Sequence, residues 1–317
     1  MKRVCVFAHY DRDNIIDDYV IYYLNALKDV AETIIFVSDC DLEQKETAKL
    51  NGIADYIIAQ KHGEYDFGSY KRGFLLAKDK GLEFDELIFA NDSVYGPFYP
   101  LKPIFEKMEK KKCDWWGMTK NSYGMKEQKL VYKPKWEPHI QSYFIVFSKK
   151  VFTNDVFEAF MLKIKQENKK EDIITKYEVG LSKYLNKNGF KSSVYINRYW
   201  FVHNCMSVKW DEMIKKYNFP FLKTTIIKNG FYFMGEVIGW EDVIRNSSAY
   251  PIELINKNSQ RLKDLYENKY SKLNLYRKIR FRMLIHCPPE IRYLIILFEK
   301  YTFIVLNTIC FHKLKKF

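Results

Sequence analysis

The stretch FDELIFANDSVYGP, residues 84–97, joins an apolar run to a polar triplet. The run from Leu87 to Ala90 is typical of a short strand that is buried on both faces of a parallel sheet. The triplet Asn91-Asp92-Ser93 follows it directly, and a Gly-Pro turn comes next. Because ligands of α/β proteins bind at the carboxyl ends of such strands, the triplet is a candidate binding site.

Short apolar runs and segments of helical periodicity alternate on both sides of this stretch. We predict strands at residues 4–8, 33–37, 55–59, 87–90, 113–119, 141–147 and 193–196. We predict helices at residues 14–29, 42–50, 70–80, 103–111 and 178–187, and another that begins near residue 150. This alternation implies a mostly parallel central sheet that is covered by helices on both faces. The predicted fold class is therefore α/β.

The composition is typical of a folded globular protein. A chain of 317 residues with 47% hydrophobic content can bury a large core. Its six cysteines are scattered singly, without the close pairs of a zinc site or a redox motif, and we predict reduced thiols. The first apolar run is shorter than the ~7 residues of a signal peptide, and no segment approaches the ~18 apolar residues of a membrane span. These features predict a cytoplasmic protein.

Polar side chains follow four of the predicted strands. They are His9, Tyr10 and Asp11 after the first strand, Asp39 and Asp41 after the second, Asp66 beyond the third, and Asn91 and Asp92 after the fourth. Neither a dinucleotide fingerprint nor a P-loop accompanies them. A site with carboxylates and no glycine-rich phosphate loop usually holds a diphosphate through a divalent metal, because Mg²⁺ binds one or two carboxylates together with phosphate oxygens.

Five blocks of the sequence carry a resemblance to a known family: FAHYD (7–11), YDFGSYKRG (65–73), LIFANDSVYGPF (87–98), QSYFIVFSKKVF (141–152) and YEVGLSKYL (177–185). Together they resemble the rhamnan synthesis protein F family, bacterial glycosyltransferases of cell-wall and lipopolysaccharide polysaccharides. The resemblance extends over roughly residues 1–260. It implies a GT-A-like fold and a nucleotide-activated deoxysugar donor such as dTDP-rhamnose. We therefore expect a single GT-A-like nucleotide-binding domain at residues 1–256.

The resemblance implies that Asn91-Asp92-Ser93 is the counterpart of the DxD motif, in which carboxylates hold a metal on the donor diphosphate. Asp92 is the only carboxylate of the triplet, so Mg²⁺ or Mn²⁺ would be weakly held or absent. His203 is a second candidate metal ligand, with a buried core histidine as the alternative. A literal DxD stands at Asp39-Cys40-Asp41, after the second strand, where GT-A proteins more often contact the nucleoside.

The strand-end positions and the resemblance together predict eight residues that contact the donor nucleotide: His9, Tyr10, Asp11, Asp39, Asp66, Lys71, Asn91 and Asp92. For Asp39, Asp66 and Asp92 the alternative is a cap on the helix or turn that follows. For Lys71 and its neighbour Arg72 the alternative is a solvated helix face. Trp115 and Trp116 are either core residues or a platform for a sugar ring.

An inverting sugar transfer needs a carboxylate that takes the proton of the acceptor hydroxyl. In GT-A enzymes this carboxylate commonly lies at the start of a helix after the acceptor strand. Glu178 has that place in the sequence and is the predicted general base, with Asp172 or Glu171 as the second choice. The alternative is that Glu178 only complements the helix dipole.

The positive charge is concentrated near the C-terminus. Residues 257–317 carry fourteen Lys or Arg against four Asp or Glu, which accounts for ten of the thirteen net positive charges. Basic residues alternate there with large apolar and aromatic ones, a pattern typical of helices that lie in a membrane interface. The alternative for this basic helical region is a C-terminal helix packed on the core. No RNA- or DNA-binding signature accompanies the charge, so we predict no nucleic-acid partner.

The sequence therefore predicts an inverting glycosyltransferase that moves rhamnose or another deoxysugar to a growing lipid-linked polysaccharide or lipopolysaccharide. Its C-terminal region would hold it on the inner face of the cell membrane as a peripheral protein. The alternative is a non-catalytic protein of the same fold that binds a nucleotide sugar or a glycan. Turnover of the donor distinguishes these two functions.

Overall fold

The parallel half of the sheet contains the strands that precede the polar residues. The computed structural model describes residues 1–123, 136–197, 210–228 and 239–263. Its first four strands are β1 (Arg3–His9), β2 (Thr33–Ser38), β3 (Tyr56–Ala59) and β4 (Glu86–Asn91). They lie in the order β3, β2, β1, β4, and every neighbouring pair is parallel. Their carboxyl ends therefore meet at one edge of the sheet.

A short ribbon lies beside the polar triplet. It consists of β5 (Val94–Tyr95) and β10 (Leu222–Lys223), which pair in antiparallel orientation. The amide of Thr224 donates to the carbonyl of Ser93 at 3.0 Å and continues this pairing. A segment from late in the chain is thereby fixed against the turn that follows β4.

The antiparallel half extends the sheet beyond β4. Its strands are β6 (Trp115–Tyr123), β7 (Trp136–Ile140), β8 (Phe144–Ser148) and β9 (Ser192–Ile196). β8 is antiparallel to both β4 and β6, β7 is antiparallel to β6, and β9 is parallel to β6. The predicted α/β fold with a mostly parallel sheet is confirmed, although only four of this sheet's seven described pairings are parallel.

Helices cover both faces of the sheet. They are α1 (Asp18–Leu27), α2 (Gln44–Thr47), α3 (Tyr65–Asp79), α4 (Lys102–Glu109), α5 (Lys149–Phe152), α6 (Asp155–Leu162), α7 (Lys170–Ile173), α8 (Gly180–Lys187), α9 (Trp210–Tyr217), α10 (Thr224–Lys228), α11 (Trp240–Ser247) and α12 (Glu253–Arg261). A 3₁₀ turn at Ala48–Leu50 follows α2, and a π-helical turn at Ile174–Val179 joins α7 to α8.

Alternate residues of the central strands pack into two hydrophobic clusters, one on each face of the sheet. In β1, Cys5 and Phe7 belong to one cluster, and Val4 and Val6 belong to the other. The first cluster also contains side chains of α1, α4, α9 and α11, whereas the second contains side chains of α3, α6 and α8. Burial of this apolar surface is the main force that holds the helices against the sheet.

Trp115 and Trp116 belong to these clusters. They are 1% and 4% exposed and lie in opposite clusters, as successive residues of a strand must. Trp115 stacks on Phe147 with ring centroids 6.0 Å apart, and Trp116 meets Phe105 edge to face at 5.1 Å. The alternative of a sugar platform is therefore wrong for both residues, because their ring faces are covered by protein.

α3 begins earlier than the sequence predicts. Its first residue is Tyr65 rather than Tyr70, because Phe67, Tyr70 and Phe74 already follow helical spacing and pack in the second cluster. Asp66 therefore lies in the first turn of a helix rather than in the loop where we expected it.

The predicted boundary between residues 256 and 257 falls inside α12. Asn258 is buried in this helix, where its side chain accepts a hydrogen bond from the Tyr95 hydroxyl at 2.7 Å and donates another to Asp17. α12 thus packs on the α/β domain, and the division into a domain and a tail stays a prediction. Among the helices of the described residues, none has the length and apolar character that a membrane crossing requires.

Candidate functional site

The triplet after β4 connects two groups of polar residues. The amide of Tyr10 donates to Asp92 Oδ2 at 2.8 Å, whereas Asn91 Nδ2 donates to Asp66 Oδ2 at 2.8 Å. The amide and hydroxyl of Ser93 donate to Asn91 Oδ1 at 3.1 and 2.6 Å, so the orientation of the Asn91 amide is fixed. We call His9, Tyr10, Ser38 and Asp92 the β1 cluster, and Asp66, Asn91, Glu178 and Lys223 the Glu178 cluster.

His9 is the buried member of the β1 cluster. Its Nδ1 lies 2.9 Å from the hydroxyl of Ser38, and its Nε2 lies 3.9 Å from Asp92 Oδ2. Burial lowers the pKa of His9 to about 4, although the neighbouring charge of Asp11 opposes this effect. The imidazole is therefore neutral near pH 7 and lies behind Asp92.

Asp11 is engaged by the protein itself. Its carboxylate accepts the amide of Asp13 at 2.9 Å and lies 2.5 Å from Arg261 Nη2. The same guanidinium contacts Asp13 at 2.7 Å and Asp17 at 2.6 Å. Arg261 thereby ties α12 to the loop after β1, and no local sequence pattern marks it as a partner of that loop.

The literal DxD of Asp39 and Asp41 binds backbone. Asp39 Oδ1 accepts the amides of His62 and Gly63 at 2.5 and 2.7 Å, and Asp41 Oδ1 accepts the amide of Lys61 at 3.1 Å. Both carboxylates therefore hold the loop that leads from β3 to α3.

Lys71 and Arg72 are members of an internal ion-pair network. Lys71 Nζ lies 2.7 Å from Glu64 Oε2 and donates to the carbonyl of Ile164 at 2.7 Å. Arg72 Nη1 donates to the same Glu64 oxygen at 2.9 Å. Burial would raise the pKa of Glu64, but hydrogen bonds from Arg72 and Lys71 lower it overall. Both cations thus have anionic partners within the protein.

Glu178 lies in the π-helical turn before α8. The sequence predicts it in the first turn of a helix, but the continuous helical run begins at Lys170 with α7, so Glu178 lies in the middle of this run and the helix-dipole alternative loses its structural basis. Glu178 Oε1 accepts the amide of Ser142 at 2.9 Å and its hydroxyl at 3.2 Å. π-Helical turns are frequent at functional sites, where the extra residue redirects a side chain. Here the carboxylate is held at the residues that precede β8.

Charges of both signs interact across the Glu178 cluster. Burial raises the pKa of Asp66, with a smaller opposing effect from Lys170 and a further increase from Glu178. Burial lowers the pKa of Lys223, and the carboxylates of Glu178 and Asp66 oppose this. β10 positions Lys223 opposite Val94, and its ammonium lies 5.4 Å from the ring centre of Tyr143. Because a two-residue strand has no periodicity, no sequence pattern identifies Lys223 as a site residue.

The remaining predicted site residues lie elsewhere. Asp172 is in α7, where its charge acts on Lys176, whose pKa is raised mainly by a hydrogen bond to Glu167. His203 lies outside the described residues. In the described ranges, no three His, Cys, Asp or Glu side chains are grouped so that they could hold a metal ion. Asp92 is the carboxylate of the triplet that would contribute to such a site.

Comparison with known proteins gives a family match. The family model described as rhamnan synthesis protein F matches residues 34–283. Virulence protein VirA of Vibrio anguillarum is 26% identical over 242 residues, which cover 74% of this chain and 70% of that protein. Uncharacterized protein y4gN of Sinorhizobium fredii is 29% identical over 163 residues, which cover 51% of this chain and only 40% of that protein.

Solved structures show a more distant likeness. Inositol-1-phosphate CTP transferase from T. maritima has 15% sequence identity and a TM-score of 0.38, with coverage of 62% of this chain and 85% of that chain. Core-mannan synthase A from Aspergillus fumigatus in its Mn/GDP form has 9% identity and a TM-score of 0.35, with coverage of 57% and 70%. Likenesses of this size carry no argument about function.

Proposed function

Because this chain belongs to the rhamnan synthesis protein F family, we propose that it is a glycosyltransferase that extends a lipid-linked cell-surface polysaccharide or lipopolysaccharide. Rhamnose or another deoxysugar, carried as dTDP-rhamnose or a related nucleotide sugar, is the proposed donor. The Glu178 cluster is the observation that carries the proposal, because it brings two carboxylates and an ammonium to the carboxyl end of β4. Such a set can supply the base and the charge that sugar transfer requires.

Glu178 is the proposed general base of an inverting reaction. Ser142 binds Oε1, whereas the described residues donate no hydrogen bond to Oε2, which would accept the proton of the acceptor hydroxyl. The acceptor oxygen then bonds to the anomeric carbon while the bond from that carbon to the diphosphate breaks. The electron pair of the broken bond leaves with the diphosphate.

Asp92 and Lys223 are the proposed partners of the leaving diphosphate. One carboxylate together with phosphate oxygens suits Mg²⁺ or Mn²⁺, and such an ion at Asp92 would neutralise the departing charge. Lys223 pairs with Val94, close to Asp92 in sequence, so its ammonium would add positive charge on the same side. Asp66 is left to bind a hydroxyl group of the transferred sugar, whereas Asn91 is only 1% exposed and orients the Asp66 carboxylate, so its predicted contact with the donor is indirect.

A cytoplasmic location at the inner face of the cell membrane fits this proposal. The acceptor would be lipid-linked, and residues 264–317 combine basic side chains with large apolar ones. This region would hold the enzyme at the surface where its acceptor lies.

A screen of dTDP-, UDP- and GDP-sugars tests the proposed function. Binding is detected as thermal stabilisation, because a ligand at 100 times its dissociation constant adds ~2.7 kcal/mol. A stabilising donor is then incubated with a short acceptor, with Mg²⁺, Mn²⁺ or a chelator, and release of the nucleoside diphosphate is measured. We expect both stabilisation and turnover. Stabilisation without turnover would favour the non-catalytic binding protein, and no stabilisation by any donor would reject both functions.

The variant Glu178→Gln tests the general base. We expect kcat to fall by ~10²–10⁴-fold while the dissociation constant of the donor changes by no more than about twofold, because the amide cannot accept the proton. The matched control is Glu83→Gln, which removes the same charge from an exposed position before β4 and should leave kcat unchanged. A Glu178→Gln variant that has lost donor binding would show that Glu178 is a binding residue instead.

A further inference from the structure

Two exposed tyrosines lie at the edge of the sheet that carries the β1 cluster. In the described part of the chain, the exposed large hydrophobic residues are Met1, Tyr10, Ile57, Tyr65 and Leu162. Tyr10 is 59% exposed and follows β1 directly, and Tyr65 is 41% exposed and is the first residue of α3. Exposed rings beside a row of polar strand ends are candidates for ligand contact.

Hydrogen bonds between neighbouring strand ends bring the two tyrosines together. The amide of Asp39 donates to the carbonyl of His9 at 2.9 Å, which places the end of β2 beside Tyr10. Asp39 Oδ1 in turn accepts the amide of Gly63, two residues before Tyr65. Burial is the main cause that raises the pKa of Tyr10, and the Tyr65 phenol is among the neighbours that raise it further. The two phenols are therefore close enough to interact electrostatically.

Tyr65 adopts a strained backbone conformation. Its φ is +57°, in the left-handed region that bulky side chains seldom occupy. Its side chain forms no hydrogen bond or ion pair with the other described residues, so no polar contact of the side chain compensates for the strained conformation. Strain of this kind persists where the surrounding structure imposes it, and it is concentrated at ligand sites. Here Asp39 accepts the amides of His62 and Gly63 and so holds the loop that leads into Tyr65.

We propose that Tyr10 and Tyr65 form an aromatic clamp that holds the base of the donor nucleotide. The clamp rests on the proposed function and adds the location of the base. The amide of Tyr10 binds Asp92, and Tyr65 directly precedes Asp66 of the Glu178 cluster, so a donor held by Asp92 and the Glu178 cluster can place its base against the two rings. Stacking on a phenol ring tolerates any base, because every base has a π-face. The clamp therefore supplies affinity for a nucleoside diphosphate, and base selectivity comes from other contacts.

Calorimetric titration of the full chain with UDP, dTDP, GDP and inorganic pyrophosphate tests the clamp. We expect Tyr65→Ala and Tyr10→Ala each to weaken binding of a nucleoside diphosphate by about 5- to 150-fold, the range for loss of one stacking contact. Tyr65→Phe should bind as the unchanged protein does, because the ring remains. Pyrophosphate binding should be the same in all variants. Leu162→Ala, which removes an exposed apolar side chain elsewhere, is the control.

Tyr65→Gly separates ligand contact from a structural role. Glycine adopts a positive φ without strain, so this variant should melt at the same temperature as the unchanged protein or higher. It should nevertheless bind nucleoside diphosphates as weakly as Tyr65→Ala. Unaltered nucleotide affinity in both alanine variants would overturn the clamp and leave the proposed function standing. Failure of the unchanged protein to bind any nucleoside diphosphate would overturn both.

Discussion

His9 stands at a position that the sequence marks as a donor contact, yet its ring is enclosed by protein. Ser38 contacts one ring nitrogen, Asp92 lies near the other, and the buried ring is neutral at pH 7. The structure therefore gives His9 a supporting position behind Asp92 rather than one open to solvent.

The neutral state of His9 makes the free energy of unfolding dependent on pH. In the unfolded chain a histidine takes up a proton near its ordinary pKa of 6.5, whereas folded His9 does so only near pH 4. The part of the free energy of unfolding that depends on neutral His9 is therefore fully present above pH 6.5 and is lost as the pH falls toward 4. Between pH 7 and pH 5 we expect a loss of about 2 kcal/mol from this residue.

Urea unfolding at pH 7, 6 and 5 measures this effect. His9→Gln removes the titrating group but keeps a polar side chain of similar length, so the variant should lose less stability than the unchanged protein over the same range. The quantity to compare is how steeply the free energy of unfolding changes with pH in each of the two proteins, not its absolute value. Equal slopes would show that His9 does not remain neutral in the folded state.

Individual site residues could be predicted only where a local pattern surrounds them. Asn91 and Asp92 follow a continuous apolar strand, and Glu178 lies beside a stretch of helical periodicity, so the sequence pattern indicates all three positions. Lys223 and Arg261 gain their significance from partners far away along the chain. Nothing in their immediate neighbourhood distinguishes them from other basic residues.

α12 is joined to the start of the fold by charge as well as by packing. Arg261 is 22% exposed and lies among the carboxylates of Asp11, Asp13 and Asp17. Without the guanidinium, three like charges would remain close together in the loop after β1, two of them partly buried. This makes Arg261 the main electrostatic link between the helix and the site.

We expect Arg261→Gln to lower the free energy of unfolding by about 1–3 kcal/mol, because partly buried carboxylates lose their charged partner. Thermal or urea denaturation measures the change. Lys257→Gln is the matched control on the same helix: Lys257 and its partner Asp18 are 70% and 56% exposed, and such surface pairs contribute about 0–1 kcal/mol. Equal losses in the two variants would contradict a special role for Arg261.

Strands that consist of a continuous apolar run could be predicted better than elements that form only through tertiary contacts. β1, β2 and β4 were predicted close to their observed bounds because each is a continuous apolar run. β7, with the sequence WEPHI, contains charged and proline residues that give no strand signal and forms by pairing with β6. The π-helical turn before α8 is likewise invisible, since its extra residue leaves the composition of a helix unchanged.

The charge of the whole molecule is unevenly distributed along the chain, and this distribution predicts binding to anionic membranes. Residues 264–317 carry eleven Lys or Arg against four Asp or Glu. If they lie in a membrane interface, each basic residue contributes ~1 kcal/mol near an anionic surface, and salt weakens that part. We expect the full chain to sediment with anionic liposomes strongly at low salt and more weakly at high salt. The apolar side chains should leave a salt-resistant remainder.

Truncation after Lys263 is the control for membrane binding. It keeps Arg261 and every described contact, whereas truncation near residue 259 would remove the ion pairs with Asp11, Asp13 and Asp17. The shortened protein should remain folded, use a short soluble acceptor and no longer sediment with liposomes. Aggregation of the shortened protein would show that residues 264–317 cover an apolar surface of the domain.

The ion pair between Asp11 and Arg261 also bears on how the protein is made. The two residues are 250 positions apart, so a ribosome that adds ~5–20 residues per second needs about 12–50 s to synthesise the partner of Asp11. Throughout that interval the loop after the first strand is acidic and lacks its compensating cation. The loop after β1 therefore gains its cationic partner only after all the strands of the described sheet have been synthesised.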